Sequence, residues 1–126
     1  MSGGPWRVLV ADDDPTAALL TRAALPARDF LLTLVDNGDD ALRAFRCEKF
    51  DIVLLDIEMP GVDGFEVGAA IRGMRGKDFP VVLITGRHDP AFIERVRILS
   101  ADYIAKPVDW ALLPGLLRGL LASHSN

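Results

Sequence analysis

The stretch Asp51-Ile52-Val53-Leu54-Leu55-Asp56-Ile57-Glu58-Met59-Pro60-Gly61-Val62-Asp63-Gly64 constrains this chain more than any other. Four consecutive apolar residues, Ile52 to Leu55, end on an acid. A run that is apolar on both faces reads as an interior strand of a parallel sheet, where neither face meets water. β-branched Ile52 and Val53, and the stop at Pro60-Gly61, favour a strand over a short buried helix. Asp56 then stands at the carboxyl end of a central strand, the edge at which open α/β sheets bind ligands. Taken alone, Asp56 is equally well read as a helix N-cap or a turn acid, since Asp is common at both.

The same grammar recurs along the chain. Arg7 to Ala11 is an apolar run that ends in Asp12-Asp13-Asp14-Pro15, and Thr16 to Leu25 carries Ala and Leu at helical spacing up to Pro26. Phe30 to Val35 is a second strand, closed by Asp36-Asn37-Gly38. Asp39 to Phe45 is a helix with acids in its first turn, where they complement the dipole. After the central strand, Gly61 to Met74 reads as a helix with Val67, Ile71 and Met74 on one face. Phe79 to Ile84 is the fourth strand, ending in Thr85-Gly86. Asp89-Pro90 supplies the N-cap and N1 proline of a helix whose Phe92, Val96 and Leu99 share a face. Tyr103 to Ala105 is a short fifth strand ending in Lys106-Pro107, and Asp109 to Ala122 is a Leu-rich last helix. Strands alternating with helices predict a parallel sheet covered on both faces, because each crossover needs a helix.

Length and composition narrow the class. A chain of 126 residues holds one domain with one proper core. The expected division is a flexible leader over 1–6, the domain over 7–122 and a polar tail over 123–126. The net charge of −4, without a Lys/Arg block, argues against nucleic-acid binding. No apolar run approaches the ~18 residues of a membrane span, and Met1 to Pro5 lacks the pattern of a signal peptide. The cytoplasm is the compartment these features suit. The lone Cys47 is expected to pack within a helix as a small apolar residue, and His88 and His124 lack ligand-spaced partners and are expected at the surface.

Parallel strands share one direction, so their carboxyl ends share one edge. Four of the five strands end there in a chemically capable residue: Asp12 and Asp13, Asp56, Thr85, and Lys106. N-capping accounts for acids but not for a lysine, which the helix dipole disfavours at an N-terminus. Three crowded carboxylates call for a cation, and acids with room for water suit Mg²⁺. A hydroxyl and an ammonium opposite suit the oxygens of an anion. Such a constellation is a phosphoryl-transfer site with a central carboxylate as nucleophile. Asp14 is read as a helix cap or a solvent-facing acid, and Phe65 as core.

In these residues the sequence resembles the receiver domain of two-component response regulators. The resemblance is carried by Val8-Leu9-Val10-Ala11-Asp12-Asp13-Asp14-Pro15, by the Asp51 to Gly64 stretch, by Val82-Leu83-Ile84-Thr85-Gly86 and by Asp102-Tyr103-Ile104-Ala105-Lys106-Pro107. It spans about Arg7 to Leu121. It implies a flavodoxin-like α/β fold, a doubly wound five-stranded parallel sheet of order 2-1-3-4-5 with helices on both faces and the site at its switch point. It further implies that Asp56 accepts a phosphoryl group from a phosphohistidine on a sensor histidine kinase or phosphotransfer protein. Asp12 and Asp13 would hold Mg²⁺ together with Asp56 and the backbone carbonyl of Glu58. Thr85 and Lys106 would contact the phosphoryl oxygens, and Tyr103 would be an aromatic switch coupled to Thr85. Lys106-Pro107 would be a cis peptide. Glu58 and Arg87, each two residues after a site residue, would tune phosphoryl lifetime. A downstream protein or a second copy would meet the face of the fourth helix, fifth strand and last helix. The protein would turn over no free substrate, catalysing only its own Mg²⁺-dependent phosphorylation and dephosphorylation.

Some features depart from the family pattern or invite another reading. Glu58 and Arg87, on neighbouring loops, are expected to face and pair with each other. The stretch from Thr85 to Lys106 is one residue short near Ser100. Pro114 falls in the second turn of the expected last helix, where its missing N–H breaks a bond, and Gly115 and Gly119 weaken that helix further. Trp110 and Leu112, Leu113, Leu116, Leu117, Leu120 and Leu121 cover more than one stripe of it, so some are expected at the surface. A phosphohydrolase of the haloacid dehalogenase type would need a second Asp where Glu58 stands and a cap domain. A flavodoxin would not place Asp12-Asp13-Asp14 against a phosphate. A phosphorylation-independent binding module of the same fold is the remaining alternative.

Overall fold

Ten elements alternate along the chain: β1 (Trp6–Ala11), α1 (Pro15–Ala24), β2 (Phe30–Val35), α2 (Gly38–Cys47), β3 (Ile52–Asp56), α3 (Gly64–Arg75), β4 (Val81–Thr85), α4 (Pro90–Leu99), β5 (Asp102–Ala105) and α5 (Leu113–His124). They are seen in a computed structural model that describes residues 4–124. All strand pairs are parallel, in the order β2-β1-β3-β4-β5. The order reverses direction at β1 and β3, which leaves a crevice above their carboxyl ends. Ala11 lies opposite Leu55, so the strands deliver Asp12 and Asp56 side by side.

Alternation splits the strand side chains between two cores. Leu9, Val53, Leu55, Val81 and Leu83 pack with Ala41, Phe45, Phe65, Val67, Ile71, Phe92 and Val96, the inner stripes of α2, α3 and α4. Val8, Val10, Ile52, Leu54, Val82 and Ile84 pack with Leu25, Leu113, Leu117 and Leu121 beneath α1 and α5. The strand β3 is buried throughout, as its unbroken apolar run requires.

Several boundaries differ from the sequence expectation, each for a local reason. Trp6, placed in the leader, is the first residue of β1, and Ser123 and His124, placed in the tail, continue α5. Residues 1–3 and 125–126 of those two segments lie outside the described residues. The helix α3 starts at Gly64 rather than Gly61, because Asp63 and Glu66 form a reciprocal capping box. The last helix starts at Leu113 rather than Asp109. Pro114 therefore sits in the first turn, where its missing N–H costs no helical bond, so it does not break the helix. Cys47 is exposed, not packed; it lies about 200° around α2 from the buried Phe45. Met74 also faces solvent while Val67 and Ile71 are buried. The last turn of α3 instead meets the protein through Arg72, bonded to neighbouring carbonyls, and Arg75, whose guanidinium lies 4.6 Å from the Phe79 ring.

Candidate phosphoacceptor site

Each site residue is delivered by the end of a strand and fixed by the loop that follows. Asp56 ends β3 and is almost fully buried. Its loop is folded tightly: the Ile57 carbonyl accepts from Met59 N–H at 3.1 Å and from Gly64 N–H at 3.2 Å. Gly64 comes so close that a Cβ there would stand 2.5 Å from the Asp56 carbonyl oxygen. Only glycine lets α3 begin against the strand end that carries the acid. The Glu58 N–H reaches back to Asp56 Oδ1 at 3.2 Å.

Asp12 and Asp13 follow β1. Asp12 is buried and Asp13 exposed, and each offers a carboxylate oxygen within a 4.8 Å cluster that includes Asp56. Asp12 Oδ1 accepts the Asp14 N–H at 2.9 Å. Asp14 itself caps α1, accepting the Thr16 N–H at 3.0 Å, as expected of it. Burial pushes the Asp12 carboxyl up from 3.8 to about 6; the Asp14 N–H opposes this and the nearby Asp56 charge adds to it.

Lys106 follows β5 and donates to Asp56 Oδ1 at 3.1 Å, with Glu58 Oε1 3.5 Å from the same ammonium. Partial burial pulls the ammonium down, but the hydrogen bond and charge of Asp56, with Glu58 and Asp12 behind them, outweigh it and hold Lys106 above its ordinary value. The Lys106-Pro107 bond is cis. Thr85, fully buried at the end of β4, accepts the Arg87 N–H on Oγ1 at 2.8 Å. Tyr103 is 40% exposed and stands edge-on to Phe92 with ring centroids 6.5 Å apart.

The expected Glu58–Arg87 pair is not formed. Glu58 turns to Lys106, and Arg87 makes a two-pronged pair with Asp89 at 3.1 and 3.2 Å while lying over the Phe92 ring. Asp89 is nearer in the chain and caps α4, so Arg87 is captured on its own loop before it can cross the site. Phe65 is core, as expected, and His88 is exposed; the side chain of His124 lies outside what is described. Sequence reasoning missed an open cavity of about 260 Å³ beside Asp12 and Lys106, walled by Leu20, Ile84, Val108 and Trp110.

Three carboxylate oxygens of this spacing, one from an acid whose buried charge lacks a strong partner, fit a small hard cation with oxygen ligands. The parallel sheet of order β2-β1-β3-β4-β5, with three acids and a lysine gathered at one edge, is a doubly wound α/β fold of the flavodoxin-like class. Within it, the chain belongs to the response regulator receiver domain family, whose model matches residues 8–118. It is 38% identical over 108 residues to the sensor histidine kinase GacS of Pseudomonas protegens, covering 81% of this chain and 12% of that protein. It is 35% identical over 117 residues to the transcriptional regulatory protein CseB of Streptomyces coelicolor, covering 90% of this chain and 48% of the relative. The chain thus spans about half the length of the curated transcriptional regulators it matches. A CheY-like receiver domain protein from Methanospirillum hungatei superposes with a TM-score of 0.88 at 23% identity, covering 97% of this chain and 98% of that one. The signal receiver domain of a histidine kinase from Syntrophus aciditrophicus does so with 0.83 at 28%, covering 94% and 91%.

Proposed function

We propose that Asp56 accepts a phosphoryl group from a phosphohistidine on a sensor histidine kinase or phosphotransfer protein in the cytoplasm. The observation that carries this reading is the buried Asp56 held between the acids Asp12 and Asp13 and the Lys106 ammonium at 3.1 Å. A buried carboxylate beside a single lysine alone would be a structural ion pair; two further acids on its other flank make a site for a charged reaction partner. An Asp56 carboxylate oxygen attacks phosphorus, the phosphorus–nitrogen bond breaks, and its electron pair leaves with the imidazole, which takes up a proton. Lys106 and the Thr85 hydroxyl donate to the phosphoryl oxygens. Asp12, Asp13, Asp56 and the Glu58 carbonyl would hold Mg²⁺, which when bound neutralises charge on the transferring group. The protein supplies positioning and charge, as phosphoryl transfer requires.

Once formed, the acyl phosphate draws Thr85 and lets Tyr103 turn inward. The signal leaves through the face of α4, β5 and α5, to a downstream protein or a second copy. Support comes from Ile98, Tyr103, Leu112 and Leu116, all 40–69% exposed, which is much apolar surface for three neighbouring elements. Glu58 and Arg87 tune phosphoryl lifetime separately, Glu58 by competing for Lys106. Among the described residues no helix is long and apolar enough to cross a membrane.

Incubation with acetyl phosphate and Mg²⁺, read by intact mass, tests the reading. The wild type gains one phosphoryl group and loses it in base; excess chelator prevents the gain. A chain that gains nothing is a binding module of this fold instead, and one that gains equally with chelator is phosphorylated without the metal this reading requires.

A further inference from the structure

The helix α4 is held differently at its two ends. At the C-terminal end Arg72, from α3, donates to the Leu99 and Ser100 carbonyls, each at 2.9 Å. The same guanidinium donates to the Gly76 carbonyl at 2.7 Å and the Phe79 carbonyl at 2.6 Å. One planar fork thus fastens the ends of α3 and α4 to the entry of β4 through main-chain oxygens, a geometry lysine cannot reproduce.

At the N-terminal end Pro90 and Ala91 are exposed, and the attachments gather on Arg87. Its main-chain N–H donates to the Thr85 hydroxyl at 2.8 Å. Its guanidinium grips Asp89, the N-cap of α4, through Nε at 3.1 Å and Nη2 at 3.2 Å. The same group lies 5.1 Å from the centroid of Phe92, the first buried ring of α4. Phe92 stands edge-on to Tyr103 on one side and to Phe65, 5.2 Å away, on the other. Arg87 therefore touches the Thr85 hydroxyl, the helix cap and the ring that faces Tyr103 at once. The pair is half exposed, so it can re-form in a shifted position without stranding a buried charge.

We propose that Arg87 is a positioning residue which carries a displacement of Thr85 into α4 through the Arg87–Asp89 pair, turning the helix about the end that Arg72 fixes. The inference rests on the reading of Asp56 as phosphoryl acceptor. A shift of the Thr85 hydroxyl toward Asp56 drags the Arg87 backbone. The guanidinium takes Asp89 and Phe92 with it, and Tyr103 loses or gains its edge contact. The helix moves most at its first turn and least at Ser100.

The test uses the wild type, Asp89→Asn and Arg87→Lys, each treated with acetyl phosphate and Mg²⁺. Phosphoryl occupancy is read by intact mass, and amide hydrogen exchange is followed on the same samples with and without phosphorylation. Asp89→Asn keeps an oxygen to cap the Phe92 N–H but loses the charge and the second prong. Arg87→Lys keeps the charge but loses the fork. In the wild type, the phosphorylation-dependent change in exchange is expected to be concentrated over residues 88–93 and 103, and small over 97–101. In Asp89→Asn the mass gain is expected to match the wild type, while that change is roughly halved or less. Arg87→Lys, compared at equal occupancy, shows the same loss. A purely structural cap would raise exchange equally in both forms and leave the difference intact. An undiminished difference in both variants at full mass gain therefore overturns the proposal and leaves the acceptor reading standing. A wild type that gains no mass overturns both.

Discussion

Replacing Asp12 with asparagine is expected to make the metal-free protein more stable, though it removes a carboxylate from the site. Asp12 is 8% exposed, and its carboxyl is raised from 3.8 to about 6, first by burial and then by Asp56. A raised acid binds its proton more tightly folded than unfolded, so its charged form opposes folding. That penalty is complete above about pH 6, fades as pH falls from there toward 3.8, and is absent below 3.8. A rise of this size corresponds to roughly 3 kcal/mol at neutral pH. Water at the open mouth of the site screens part of it, which leaves about 1–2 kcal/mol. Asparagine keeps an oxygen for the Asp14 N–H, now 2.9 Å away, and its new N–H faces the Asp56 carboxylate. The expected gain of about 1–2 kcal/mol is roughly 3–12 °C in Tm for a domain of this size. Thermal melts at pH 7.5 with chelator, then with excess Mg²⁺, check it. Mg²⁺ raises the wild type by linkage and the variant far less, so the two converge. A variant that melts at or below the wild type in chelator would refute the claim that Asp12 carries uncompensated buried charge.

Other substitutions probe the frame around the site. Gly64→Ala forces a methyl against the Asp56 carbonyl, so urea unfolding should show a loss of about 1–3 kcal/mol, with slower acetyl phosphate labelling because Asp56 is pushed from its place. Arg72→Met, similar in volume but without donors, should cost about 2–3 kcal/mol, since it leaves the Leu99 and Phe79 carbonyls without their charged partner. A loss within about 0.5 kcal/mol would mean water replaces the fork at no penalty. Lys106→Gln should slow phosphoryl uptake by roughly 10²-fold, the typical effect of removing one charged donor from such a site; an unchanged rate would exclude Lys106 from the chemistry.

Much of this architecture is legible in the sequence because it is written in strong, local signals. The run Ile52 to Leu55 can only be satisfied with both faces covered, and it is. Asp89-Pro90 caps α4 where its residue types place it. The start of α3 is equally readable, since Asp63 and Glu66 stand three apart as a capping box requires, but Pro60-Gly61 is the louder signal. Pro114 misleads only if the helix is begun at Asp109; begun at Leu113, it falls in the first turn, where a missing N–H costs no helical bond. The gathering of Asp12, Asp56, Thr85 and Lys106 at one edge follows from parallel topology alone. What their neighbours do does not. Arg87 chooses Asp89 over Glu58 by the shape of one loop, and Arg72 binds four carbonyls, which carry no residue-type signal. Cys47 and Met74 depart from expectation because a helical stripe says nothing of where the neighbouring layer ends.

The most direct test of the central claim is to locate the acyl phosphate chemically. The protein, labelled with acetyl phosphate and Mg²⁺, is treated with borohydride, which reduces an aspartyl phosphate to homoserine, and the peptides are sequenced by mass spectrometry. Homoserine is expected at position 56, absent without acetyl phosphate and absent from Asp56→Asn. Homoserine at position 12 or 13, or none in a protein that has gained a phosphoryl mass, would contradict the assignment of Asp56.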